Sequence, residues 1–489
     1  MASIIVVGAG VAGLSAGIYA CMNGHTATVY ERHARAGGNL TGWDRNGYHI
    51  DNCIHWLTGT NPSSDLYRTW TDLGVLGRVP VYQADTLYTF EKDGQRLSLS
   101  KDIDRVAADM LTISPADRGE IQSLVKAVKA VQRLNGVGGK AHNEKGTPWQ
   151  MLGSVPALLK YYRLTTGELA RRFSHPLLQG FIGSFITEHF SSVALLVVFA
   201  TFTGENGGIP AGSSCAMAER MTQRFLSLGG RLEVGTGVAK INVEGGRARS
   251  VTLENGDTVP ADYVIVTSDP AVTFGHLLPD MAMPRELEKS YHDPRLRRFS
   301  SCHCAFAFDG AELPFRGDLI FEVSEADKEK IGGDYMVVRE FSHEKSFAPE
   351  GKNVIQTMTF CSEQMARQLI ELSRDRAAYR ERKRRMAADV EDILLRHFPE
   401  WEGKLRCLDV WTPATYHRYV DSQMGSYMSF MFPSRMLPRK VSAHIDGADN
   451  VLLATQWLQS PGGLPIAARV GMEAVQAINA RERTSGGTS

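Results

Sequence analysis

Net charge is absent from this 489-residue sequence, in which 54 Lys and Arg balance 54 Asp and Glu. A nucleic-acid partner leaves a basic footprint, so none is expected. Also absent is any C-x-x-C pair among the seven cysteines, which excludes a vicinal dithiol of that spacing. Cys302 and Cys304 have no second pair at metal-ligand spacing to join them, so no metal is expected; they read instead as one face of a strand. An odd cysteine count fits a reducing, cytoplasmic setting. No basic residue precedes Ile4, as the leading region of a secretion signal requires. Charged residues make up 22% of the chain, ordinary for a globular protein and unlike a disordered one. The length calls for two or more cores, or for one large domain carrying insertions.

The most telling absence is local: no Asp, Glu, Lys or Arg occurs before Glu31. Some twenty uncharged residues are enough to span a bilayer, and Gly13 with Gly17 forms a small-xxx-small pair. The order of the glycines favours another reading. Ile4-Ile5-Val6-Val7 has the composition of a buried parallel strand, and it runs into Gly8-Ala9-Gly10-Val11-Ala12-Gly13, the pattern G-x-G-x-x-G. A helical stretch follows, then a second strand from Thr26 to Tyr30 that closes on Glu31. Gly8 suits the tight turn out of the strand, Gly10 lets a pyrophosphate approach the backbone, and Gly13 lets the helix lie close to the sheet. The helix N-terminus offers free amides to phosphate. Glu31 stands roughly 20 residues further on, where a carboxylate accepts from ribose hydroxyls. The segment is read as a dinucleotide-binding unit.

That unit is expected over residues 1–75, followed by a largely helical cap or substrate region over 76–205. Within the latter, Val193 to Phe199 is the most apolar run; it is too short to cross a bilayer and reads as a buried helix or a pocket wall. Residues 206–284 carry a helix from about Ser214 to Leu228, then short strands separated by turn signals at Gly245-Gly246 and Asn255-Gly256. They are taken as a second part of the nucleotide domain bearing a β-meander, with Tyr263 to Thr267 returning to the main sheet. Residues 285–435 form a second insertion of mixed strand and helix. Its basic segment 374–398 is read as a helix with a solvated charged face, contact with anionic lipid being the alternative. Residues 436–489 supply a third part, in which a buried strand, Asn450 to Ala454, leads into a Gly462-Gly463 turn and a last helix.

Only one complete G-x-G-x-x-G is present, since Gly235-Thr236-Gly237-Val238-Ala239-Lys240 fails at its last position. One dinucleotide site without a second for a nicotinamide suits a tightly held FAD. The closing helix would then aim its positive end at the flavin edge that gains charge on reduction.

The motifs together resemble the FAD-dependent oxidoreductases of the carotenoid desaturase and retinol saturase type, within the amine-oxidase-like flavoprotein superfamily. The resemblance rests on Gly8, Gly10, Gly13 and Glu31; on Arg35-Ala36-Gly37-Gly38; on Ile50-Asp51-Asn52-Cys53-Ile54-His55-Trp56, which looks like a saturase-type F-D-x-G-x-H; and on Ser460-Pro461-Gly462-Gly463-Leu464-Pro465. It implies an α/β fold: a Rossmann-like FAD-binding domain of the glutathione-reductase and amine-oxidase type, with an inserted α+β substrate domain. It also implies FAD contacts from Val11, Ala12, Arg32, Asn39 and Val238, beside the residues just named. Two positions depart from the pattern. Asn39 replaces a basic residue that often follows the paired glycines, and Cys53 replaces a glycine near the flavin.

A lipophilic, conjugated substrate of isoprenoid, carotenoid or retinoid kind follows from the same resemblance. The reaction would add or remove hydrogens across a C–C bond, with an unidentified electron donor or acceptor. His55, Tyr416 and Tyr427 are the candidate proton-handling residues, and a core histidine or pocket-lining aromatics are the alternatives. Two other functions share the fold: a flavin amine oxidase, and a non-catalytic carrier of a lipophilic or prenylated partner. The intact glycine motif and the closing Pro-Gly-Gly turn count against the carrier. A lipophilic substrate also leaves peripheral contact with a membrane open.

Overall fold

The computed structural model describes residues 1–133, 158–436 and 441–486. The principal elements in chain order begin with β1 (Ser3–Val7), α1 (Val11–Met22), β2 (Thr26–Glu31), β3 (Thr86–Lys92) and β4 (Gln95–Ser100). Then come α2 (Ser192–Thr203), α3 (Ser213–Ser227), β5 (Arg231–Val234), β6 (Val238–Glu244), β7 (Arg247–Leu253), β8 (Thr258–Pro260) and β9 (Tyr263–Val266). The second half contains β10 (Ser301–Phe308), β11 (Asp318–Glu322), β12 (Tyr335–Glu340), β13 (Asn353–Phe360) and α4 (Arg376–His397). It ends with β14 (Leu405–Trp411), α5 (Pro413–Val420), β15 (Val451–Leu453) and α6 (Leu464–Gly486).

Two sheets organise the molecule. The first is five-stranded and parallel, in the order β5-β2-β1-β9-β15. Ile4 to Val7 and Tyr263 to Val266 are buried along their whole length, as strands covered on both faces must be. The α1 and α6 helices lie against each other, and at their crossing a side chain on Gly471 would stand 2.3 Å from the Ala12 carbonyl. The small residues seen in the sequence at both helices therefore serve close helix packing. Strands β6 to β8 form the antiparallel meander, and β9 then returns to the parallel sheet beside its central strand β1. The expected α/β class with a Rossmann-like domain is what the chain adopts.

The second sheet has seven strands, in the order β14-β10-β13-β12-β11-β3-β4. Neighbours are antiparallel except β11 and β3, which run parallel. Here the structure departs from the sequence reading. The stretch 76–205 is helical from Ile103 onward among its described residues, but it opens with the β3–β4 hairpin, and that hairpin completes the sheet of the second insertion. Asp93 and Gly94 both have positive φ, the conformation a two-residue hairpin turn needs, so the Asp-Gly dipeptide was the overlooked signal. The two insertions thus build one substrate-side unit.

Helix α2 divides its faces: Leu195, Leu196 and Phe199 are buried in the core, while Ala194, Val197 and Val198 line a cavity. Helix α4 sets Met386, Val390 and Leu394 on the second sheet and leaves Arg384 and Arg385 outside, paired with Glu381. No helix of the described residues is long and apolar enough to cross a membrane.

Candidate active site

The first glycine turn is built as the motif requires. Gly8 has φ +97°, and a side chain on Gly13 would stand 1.9 Å from the Gly8 carbonyl, so the strand-to-helix step admits no methyl group there. Gly10 caps α1 in an extended conformation with no side-chain cap, and no acidic residue lies in the first turn. The early amides of α1 are therefore available to an anion. A Cβ on Gly10 would meet nothing within 4 Å; it would project into the cavity. The second glycine turn docks beside the first: Gly37 N–H donates to the Ala9 carbonyl (2.8 Å), and a side chain on Gly38 would come within 3.2 Å of Gly10 Cα.

Glu31 ties these turns together. Its carboxylate is buried and accepts from the amides of Ala9 (2.8 Å) and His33 (2.9 Å), one oxygen each. Each oxygen keeps a lone pair for a ribose hydroxyl. Arg32 lines the same cavity, but its guanidinium is committed to Asp421 and to the carbonyls of Arg418 (3.2 Å) and Tyr419 (3.3 Å). His33 stacks on Tyr419 at 4.3 Å. The C-terminal end of α5 is thereby clamped onto the end of β2. Asn39, Val238, Gly462, Gly463, Leu464 and Pro465 line the cavity as well, with Gly8, Gly10, Val11 and Ala12. Gly463 N–H donates to Gln456 Oε1 (2.8 Å), which fixes the turn into α6. Uncapped amides, an acid at the end of β2 and a second helix start around one cleft fit FAD.

The Asp51 segment is held from below. Asp51 is buried and accepts from the amides of Cys53 (3.0 Å) and Ser214 (2.8 Å) and from the Ser214 hydroxyl (2.6 Å). These bonds anchor the segment to the start of α3. Burial raises the Asp51 carboxyl, and the hydrogen bonds from Ser214 oppose it. Cys53 does not adopt a left-handed backbone, so the missing glycine imposes no strain. Burial pushes its thiol up to about 12.

The cradle is one end of a continuous cavity of about 1240 Å³, larger than the roughly 300–1,000 Å³ typical of a single small-molecule site. Its other end is an apolar lobe walled by Leu87, Phe190, Val198, Phe299 and Ile320. Three of the polar residues that line the cavity meet in one contact chain. Arg339 and Asp318 are direct cross-strand neighbours on β12 and β11, joined by two hydrogen bonds of 2.7 and 2.5 Å. Arg339 Nη1 also lies 3.2 Å from His55 Nε2. A guanidinium has no lone pair to offer, so Nε2 is the acceptor and His55 carries its proton on Nδ1. Burial lowers Arg339 to about 9 and raises the Asp318 carboxyl; the bidentate contact favours the charged form of both.

Tyr416 is fully enclosed. Its hydroxyl donates to Asn52 Oδ1 (3.0 Å) and accepts from Trp411 Nε1–H (3.2 Å), and burial holds its pKa well above the ordinary phenol value. Tyr427 leans on Tyr416 at 5.7 Å and on Phe299 at 6.2 Å; burial raises its pKa, against a hydrogen bond with Ser301. The structure therefore brings His55, Tyr416 and Tyr427 to one end of the cavity, with His55 in contact with an ion pair. Sequence reasoning missed Asp318, Arg339, Gln456 and His303. His303 stacks on Trp411 (4.7 Å, 1°), hydrogen-bonds the Ser301 hydroxyl (2.7 Å), and burial lowers it to about 3. An acid at the head of the apolar run Leu319-Ile320-Phe321 was the available signal for Asp318. No local pattern marks the others.

Comparison with known proteins agrees with this geometry. A prolycopene isomerase of the chloroplast in Daucus carota is 22% identical over 445 residues, covering 86% of this chain and 71% of that protein. A 4,4'-diaponeurosporene oxygenase of Staphylococcus aureus is 22% identical over 514 residues, covering 98% of both. An oxidoreductase structure from Methanosarcina mazei superposes with a TM-score of 0.61 at 16% identity, covering 97% of this chain and 100% of that one, which shows a shared fold. The model of the flavin containing amine oxidoreductases matches residues 11–479, and this chain belongs to that family as an FAD-dependent oxidoreductase.

Proposed function

We propose that the protein adds or removes hydrogens across a C–C bond of an apolar, conjugated substrate of isoprenoid, carotenoid or retinoid kind. The observation that carries this reading is the apolar lobe continuous with the FAD cradle. The names of the relatives, an isomerase and an oxygenase of carotenoids, support it. When bound, FAD supplies hydride acceptance or donation. The protein's part is to orient the substrate and exclude water. Leu87, Phe190 and Phe299 give it an apolar wall in which a conjugated chain loses little on leaving solvent. His55, whose Nε2 accepts from Arg339, is held in a fixed orientation at the cavity wall. Tyr416, with its hydroxyl engaged by Asn52 and Trp411, serves to shape the pocket, while Tyr427 lines the lobe near Arg339. An external electron donor or acceptor completes the cycle.

The test is anaerobic reduction of the flavin, or reoxidation after dithionite, with panels of polyenes, retinoids and amines, followed at the visible flavin band. Turnover of a polyene or retinoid is expected. Response to amines alone, with hydrogen peroxide released in air, would replace this reading with amine oxidation. A colourless preparation that releases no FAD on denaturation would favour a carrier.

A further inference from the structure

The Arg339–Asp318 pair is an expensive feature to place in an apolar lobe. Desolvating two charges commonly costs as much as their attraction returns, and an apolar pair of similar volume serves a core at least as well. Nor is the pair sealed away: the side chains remain 13% and 10% exposed, and both line the cavity. A guanidinium carries five N–H donors. Three meet protein acceptors here, two at Asp318 and one at His55 Nε2. Two remain without a partner among the described residues, on a side chain that lines the cavity.

We propose that Arg339 and Asp318 form a recognition site for an uncharged, oxygen-bearing end group, a hydroxyl or a carbonyl, on the otherwise apolar substrate. The proposal rests on the apolar-substrate reading given above and narrows it. The oxygen accepts a spare guanidinium N–H, and a hydroxyl can also donate to a remaining lone pair of Asp318. A charged end is disfavoured with either sign. The single guanidinium is surrounded by Asp318 in contact, by Asp51, whose charge acts on Arg339, and by Glu340, whose charge acts on Asp318. Carboxylates are in surplus, so a carboxylate end group meets net repulsion. An ammonium would have to shed its water shell and rest against the guanidinium that is joined to both Asp318 oxygens, and one remaining lone pair does not repay that desolvation. A hydrocarbon end leaves the spare donors unpaired once it displaces water from them.

The experiment titrates the FAD-loaded protein, without oxygen, with one polyene chain ended in turn as hydrocarbon, alcohol, aldehyde, carboxylic acid and amine. The perturbation of the visible flavin band gives the affinity of each. The alcohol and aldehyde are expected to bind about tenfold or more tightly than the other three, the worth of one hydrogen bond to a charged group. Replacing one partner alone would strand a buried charge, so the variant is the double Asp318→Leu/Arg339→Met, which substitutes an apolar pair. In it the preference for oxygen is expected to vanish and the hydrocarbon to bind at least as well as the alcohol. Equal affinity across the series in the unaltered protein, tightest binding by the acid or amine, or a preference that survives the double substitution would each overturn the proposal. Equal response to all five would leave the apolar-substrate reading standing. A flavin band that none of them perturbs would overturn both.

Discussion

At the scale of single residues, the cleanest consequence attaches to Gly13. A methyl group there would stand 1.9 Å from the Gly8 carbonyl, so Gly13→Ala must shift the strand-to-helix turn itself. Purified Gly13→Ala is expected to retain less than about a tenth of the FAD, measured as the ratio of flavin to protein absorbance, since the amides that meet the pyrophosphate move with the turn. His303 makes a different prediction. Its folded pKa of about 3 lies below the ordinary 6.5, so between those values the unfolded chain binds more protons than the folded one. Stability therefore falls as pH drops from 6.5 toward 3, by about 1.4 kcal/mol for each pH unit crossed in that window. Urea midpoints of His303→Gln should fall less between pH 7 and pH 4.5 than those of the unaltered protein. The glycines were legible in the sequence because their spacing is local and their geometric demand is strict. His303 and Arg339 were not, because what makes them special is their setting. Arg339 becomes notable only when two strands register Asp318 opposite it and a loop 284 residues away delivers His55.

At the scale of elements, the contact between α1 and α6 couples the two ends of the chain. Gly471 lies on Ala12, one turn or so from the residues of α1 and α6 that line the cavity. Gly471→Ala would press a methyl group to 2.3 Å from the Ala12 carbonyl, and overpacking of this kind costs about 1–3 kcal/mol. A lower melting temperature is expected together with weaker FAD retention, read by thermal release of flavin fluorescence, because separating the helices displaces both helix starts. Helices α1, α3 and α6 could be drawn from the sequence since glycine turns frame them. The β3–β4 hairpin could not be drawn once its stretch was read as a helical region. Only Gln95 to Ser100 alternates with period two, while Leu87 to Phe90 is buried throughout, and the helices that follow set the apparent period of the whole. Cys53 shows the converse: it replaces a glycine of the family pattern, and the backbone absorbs it without a left-handed residue.

At the scale of the whole molecule, the two sheets divide the labour: the parallel one builds the FAD cradle, and the mixed one floors the apolar lobe and presents the ion pair. This division predicts separable defects. Phe90 is buried on β3, and its ring sits against Gly180 where a side chain would stand 2.0 Å away. Phe90→Ala is expected to cost about 3–5 kcal/mol in urea unfolding and to loosen the lobe, while the flavin absorbance of the folded fraction persists. Persistence of ligand affinity alongside the lost stability would show that β3 does not shape the lobe. The same pairing of β3 with β11 has a further consequence, in time rather than in space. Lys92 and Glu322, which meet across that seam, are separated by 230 residues. A ribosome adding about 5–20 residues per second needs roughly 10–50 s to deliver the second strand after the first. Throughout that interval the β3 edge of the nascent hairpin, which β11 will cover, stays unpaired, and whatever shields it from other chains governs how much of the enzyme is ever made.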